Sequence, residues 1–173
     1  MKKIASAICL LIFSVCLHAQ TASSWNSKGF RQAQNGNYEK AVHLFTKALE
    51  ADEFFTDAYY NRALAYSHLK KYELAIGDYT RAIQIRYDFK HAYNNRGADK
   101  IEINDLAGAI ADCSRAIEFD SLYARAYYNR GIARLKMGEH DLAIADFTRA
   151  LRIQPDYEEA KRNLAVAEGR RGR

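Results

Sequence analysis

The residues best placed to do chemistry in this chain are three asparagines, Asn61, Asn95 and Asn129, spaced 34 residues apart. A carboxamide carries both donors and an acceptor, so a regular row of them suits the main chain of an extended segment, whatever its side chains. The plainer alternative is that they hydrogen-bond locally or face water. Each is followed by an arginine, Arg62, Arg96 and Arg130, and 16 residues after each arginine stands an aspartate, Asp78, Asp112 and Asp146. Where the arginine is replaced by Lys28, the aspartate is replaced by Leu44. This co-occurrence predicts ion pairs between first and second helices, within a hairpin or across to the next, with the arginine stems lying on apolar surface.

Catalysis needs a nucleophile, a base or a metal cluster converging in a cleft, and the residue types for one do not recur together. His43, His68, His91 and His140 fall at four different places in the period. Only His68 and His91 are spaced to approach one another, and zinc wants three or four ligands. No enzyme, metal or cofactor is expected. Of the cysteines, Cys9 and Cys16 lie in the first 19 residues and Cys113 stands alone, so no internal disulfide is available after them. Cys113 reads as a buried structural thiol, because apolar burial raises a thiol pKa and suppresses reactivity.

Helices must hold these groups. The chain has 173 residues, an apolar fraction of 49%, one proline and nine glycines, a composition that favours packed helices over turn-rich sheets. Lys2 and Lys3, the apolar run Ile4 to Leu17 and the small Ala19 read as a leader over 1–19, with lipidation at Cys16 or retention as alternatives. The run is shorter than the roughly 18 residues needed to span a bilayer. Export to the periplasm or another extracytoplasmic place follows, and no membrane span is expected after cleavage. Loss of the two lysines lowers the formal charge of +5 to +3, too balanced to point to nucleic acid. The basic tail at 169–173 reads as a solvated terminus.

The period is carried by two alanine series, Ala41, Ala75, Ala109 and Ala143, and Ala48, Ala82, Ala116 and Ala150. Four units follow at 22–55, 56–89, 90–123 and 124–157, each two amphipathic stretches around a polar turn, as at Asn35-Gly36-Asn37 and Gly138-Glu139. A further amphipathic helix over 158–168, stopped at Gly169, is expected to cap the last hairpin. Small residues at Gly29, Ala63, Gly97 and Gly131 are expected to let the paired helices approach opposite the first alanine series. Phe45, Tyr79 and Phe147 then fill the space between hairpins, and Phe119 is expected to make up for the smaller Cys113.

With Tyr127, Gly131, Gly138, Ala143, Phe147, Ala150 and Pro155 in the fourth unit, and Trp25, Gly29, Gly36, Ala41, Phe45 and Ala48 in the first, the chain resembles the tetratricopeptide repeat family. The second unit matches with Tyr59, Tyr66, Ala75, Tyr79 and Ala82, while Glu53, Tyr87 and Ser121 stand where the family usually has proline. The resemblance implies an all-α, right-handed superhelical solenoid of four helix hairpins plus a capping helix. It also implies that first helices line a concave groove holding a peptide or protein partner. On that geometry Asn61, Asn95 and Asn129 form a ladder, similar to that of the transferase that adds N-acetylglucosamine to serines, with Tyr60, Asn94 and Tyr128 beside it. The carboxylate clamp that other family members use on chaperone tails is not reproduced. Its positions hold Asn26, Phe30, Asn61, His91 and Asn95 in one alignment and Tyr60, Leu64, Asn95, Arg125 and Asn129 in the other. The expected function is that of a non-catalytic, monomeric adaptor or scaffold. The alternative is a structural subunit of an envelope assembly, using the convex face or the array ends.

Overall fold

The structure, a computed structural model, describes residues 21–171; the leader over 1–19 lies outside them. Every regular element among the described residues is a helix: α1 (21–34), α2 (Tyr38–Ala51), α3 (Thr56–His68), α4 (Tyr72–Ile85), α5 (Lys90–Glu102), α6 (Leu106–Phe119), α7 (Ala124–Lys136), α8 (His140–Ile153) and α9 (Glu158–Arg170). They fall into two compact units divided between Lys71 and Tyr72. The first holds α1 to α3, and the second α4 to α9.

In the first unit, α2 buries Ala41, Phe45, Ala48 and Leu49, the i, i+4, i+7, i+8 spacing that lays one apolar stripe along a helix. Ala41 and Phe45 meet Ala65 of α3, with Ala33, Tyr38 and Val42 around them. Ala48, Leu49 and Ala58 form a second cluster with Trp25, Phe55 and Tyr59. In the second unit, Leu135, Ala143, Phe147 and Ala167 make the corresponding core of α7, α8 and α9, closed by Tyr128, Ile132, Ile144 and Leu164. Phe147 therefore does fill the space between its own hairpin and the following helix.

The close approach of paired helices is set by the aromatic ring more than by the facing alanine. A Cβ built on Gly131 would lie 2.7 Å from the Phe147 ring, and one on Gly29 would lie 2.7 Å from that of Phe45. Glycine is needed there for space. At Gly97 the same atom would meet Cys113 Sγ at 2.9 Å and the Ala109 carbonyl oxygen at 3.2 Å, so the smaller thiol leaves no room for a side chain there either. Phe119 does not make up for it: its ring packs on Tyr93 and Tyr87, with centroids 5.8 and 6.1 Å away. The two residues are six apart on α6, which places them on different turns and faces. Cys113 itself is fully buried, and burial, with Asp112 adding to it, pushes its thiol up to about 12. It stays protonated and unreactive.

Helices α1, α3, α5 and α7 end in the same way. Gly36, Lys70, Asn104 and Gly138 have φ of 76°, 58°, 63° and 79°, and the next residue donates to a carbonyl five back, as from Asn37 to Gln32 (2.9 Å) and from Glu139 to Arg134 (2.9 Å). This is the left-handed cap that satisfies the last helical carbonyls. Two of the four positions hold no glycine. At the other end, α9 runs to Arg170 and includes Gly169; one glycine in a final turn costs only about 1 kcal/mol, too little to end the helix.

Candidate functional site

In the asparagine row Asn61 and Asn129 are each tied to the preceding first helix, while Asn95 is bonded to Asn94 beside it on α5. In the first unit Asn61 Nδ2 donates to Asn26 Oδ1 (3.1 Å). In the second, Asn129 Nδ2 donates to Asn94 Oδ1 (3.0 Å), and Asn94 Nδ2 donates to Asn95 Oδ1 (3.0 Å). The local alternative is thus partly realised: one donor of Asn61 and of Asn129 is used inside the protein. Among the described residues the only buried side-chain polar atoms without a partner are Arg134 Nε and His140 Nδ1. The Oδ1 of Asn129 accepts no hydrogen bond from the described residues and is not among those buried atoms, so it keeps exposure to solvent.

Asn94 is buried at the floor of the cleft that Asn95 and Asn129 line, and it holds Asn129 and Asn95 in place. The register explains why: the same position holds Tyr60 and Tyr128, and the shorter Asn94 retracts beneath the surface where a tyrosine reaches out. Tyr60 and Tyr128 are half-buried. Tyr128 leans on Tyr157 with centroids 4.9 Å apart. Burial, and then Glu159, raises the Tyr128 hydroxyl above its usual value; burial, with Tyr128 adding to it, pushes that of Tyr157 up to about 12. Both hydroxyls are neutral at pH 7.

In the second unit Asn95 and Asn129 open onto a cleft of about 680 Å³ carried by α5, α7 and the start of α9. Arg125, Tyr157, Glu158 and Glu159 line it too. Asn61 lines a separate opening in the first unit with Asn26, Ser27, Phe30 and Arg31. The groups presented to the two openings are carboxamides, charged side chains, a phenol and a phenyl ring. His68 stacks on Tyr38 at 4.3 Å in the first unit, and His91 Nδ1 meets the Tyr123 hydroxyl at 3.1 Å in the second. Burial, then Lys90, lowers the His91 pKa. Among the described residues no three His, Cys, Asp or Glu side chains converge as metal ligands.

The arginines form the frame beneath the row. Arg96 grips Asp112 through Nε (2.9 Å) and one terminal nitrogen (2.6 Å), and Arg130 grips Asp146 in the same two-pronged way (3.0 and 2.8 Å). The pairs are within one hairpin. The remaining terminal nitrogen reaches back to the previous hairpin: Arg62 to Thr46 Oγ1 (3.0 Å), Arg96 to Thr80 Oγ1 (2.8 Å), Arg130 to Ser114 Oγ (3.0 Å). A second cation one turn on completes both of these aspartates, Lys100 on Asp112 (2.9 Å) and Arg134 on Asp146 (2.7 Å). These hydroxyls and second cations went unremarked in the sequence, although Thr46, Thr80 and Ser114 keep the same 34-residue period.

Two family models, each described as the tetratricopeptide repeat, match the chain, one at residues 56–86 and 124–157 and the other at 22–55. The crystal structure of MamA is similar over 88% of this chain and 84% of its own, at 25% identity and a TM-score of 0.82. The Arabidopsis OM64 TPR domain is similar at 28% identity over 66% of this chain and 94% of its own, with a TM-score of 0.65. YrrB, described as a TPR protein with an unusual peptide-binding site, shares 20% identity over 86% of this chain and 78% of its own at a TM-score of 0.72, a likeness of fold. An uncharacterized protein of Methanocaldococcus jannaschii is 41% identical over 44 residues, which is 25% of this chain. The match spans about half, 51%, of that relative's own length.

Proposed function

The chain belongs to the tetratricopeptide repeat family, and from that premise we propose that it is a non-catalytic adaptor whose first-helix face binds an extended peptide or protein segment. As a member of that family it is a protein-interaction module. The observation that carries the finer reading is the cleft on α5, α7 and α9, in which Asn129 is held by its Nδ2 bond to Asn94 with its oxygen facing out. A carboxamide fixed before the ligand arrives loses little further freedom on binding, so its hydrogen bond to a main chain is retained as affinity. Asn61, Asn95 and Asn129 are the contacts on this reading, Tyr60 and Tyr128 flank them, and Asn94 positions them. Export after loss of the 1–19 leader, a monomeric state and the absence of a cofactor or nucleic-acid partner belong to the same proposal.

The test uses a peptide selected from a displayed random library against the purified full chain. Changing Asn61, Asn95 and Asn129 together to alanine should weaken its binding at least about tenfold, the worth of one to a few modest hydrogen bonds. Circular dichroism should show the helices intact. Equal binding by wild type and variant would reject the row as the site and favour the outer face or the array ends.

A further inference from the structure

Helix α9 is in register with the first helices, as well as covering the last hairpin. Asn163 follows Asn129 by 34 residues, and it makes the bond that this register implies. Its Nδ2 donates to the Tyr128 hydroxyl 35 residues back (3.2 Å), as Asn129 Nδ2 does to Asn94 (3.0 Å) and Asn61 Nδ2 to Asn26 (3.1 Å). The same nitrogen also donates to the main-chain oxygen of Glu159 (2.9 Å). A carbonyl oxygen can only accept, so this contact fixes which end of the carboxamide points inward. Both donors of Asn163 are satisfied within the protein. Its Oδ1 accepts nothing from the described residues and is not among the buried atoms lacking a partner, so it is open to solvent. Glu159, one turn earlier on α9, lines the cleft that Asn129 also lines.

We propose that Asn163 is a further rung of the peptide-binding row, and that Asn129 and Asn163 bind by accepting main-chain N–H groups of the ligand through their outward oxygens. This rests on the reading that the first-helix face takes an extended peptide. It assigns α9 a contact role in addition to capping, and it assigns the ligand's donors in place of its carbonyls to these two rungs.

The probe is the library-selected peptide, together with a set of its forms methylated at one backbone nitrogen each. Binding of all forms is measured by fluorescence anisotropy to the wild type, Asn163→Ala and Asn129→Ala, with thermal melts confirming that each variant folds. Asn163→Ala should weaken the parent peptide roughly fivefold to tenfold. One methylation should weaken wild type by a similar factor and leave Asn163→Ala unchanged, the non-additivity expected of two groups in direct contact. If Asn129→Ala weakens binding while Asn163→Ala binds within about twofold of wild type, less than one ordinary hydrogen bond is worth, α9 is a cap alone and this proposal fails with the peptide reading intact. If Asn163→Ala weakens binding but every methylation adds to it independently, the side chain acts only through packing and the proposal fails. Recovery of no peptide, or full binding by both variants, overturns the proposal and the peptide reading together.

Discussion

Phe147→Ala is expected to destabilise the second unit by about 3 to 5 kcal/mol, the range for removing a fully enclosed aromatic side chain. The ring is wholly buried, and the atoms around it are poorly able to close the void. Gly131 has no side chain to move in, and Ala143 and Ala167 have only methyl groups. The deletion therefore loses transfer energy and leaves a cavity as well. Urea unfolding followed by circular dichroism measures the loss, and Phe147→Leu, which keeps part of the volume, should lose clearly less. A cost for Phe147→Ala under about 1 kcal/mol, the figure for a surface change, would show that the ring does not occupy this core.

Asp146→Ala should cost about 3 kcal/mol, through a different mechanism. The Asp146 side chain is 4% exposed and neutralises both Arg130 and Arg134, themselves 16% and 18% exposed. Removing the carboxylate leaves two largely buried guanidinium groups near one another with no counter-ion, and breaking a buried pair on one side is costly. The partial exposure of the arginines keeps the cost at the lower end of the usual range. Replacing Arg130 with methionine in that background should recover part of the loss, because an apolar residue carries no charge to leave unpaired. No recovery in the double variant would show that the loss comes from backbone disruption and not from stranded charge.

The two predictions differ in how visible they were before the structure. Phe147 belongs to a repeated aromatic position, so its place in the core could be read from the period and the neighbouring glycine. The Arg130–Asp146 pair could also be read, from loss of both residues together in the first unit. What could not be read was the second cation, since Lys100 and Arg134 look like ordinary surface charges at the end of a helix. The turns were half legible. Gly36 and Gly138 announce a positive φ, while nothing in a lysine announces that Lys70 adopts one.

The row of asparagines was legible as a spacing, and its polarity was not. Which end of a carboxamide points outward depends on the neighbour one helix back, and that neighbour is Asn26, Asn94 or Tyr128 according to the hairpin. Asn94 looked like a member of the surface because tyrosines hold its position elsewhere; its shorter side chain left it buried. Asn163 keeps an unbroken register with Asn129, but it lies beyond the fourth unit on a helix with no partner of its own, so the hairpin pattern does not point to it. Phe119 matches the volume missing at Cys113 but not its helical phase, so its ring lies against Tyr87 and Tyr93 instead.

The most direct test of the account is an NMR titration of the full chain with the selected peptide, following backbone amides and the side-chain carboxamides of Asn95 and Asn129. The account predicts that these carboxamide signals and the amides of α5 and α7 shift together, while those on α6 and α8 stay in place. Shifts confined to α6 and α8, with both carboxamides unmoved, would contradict it.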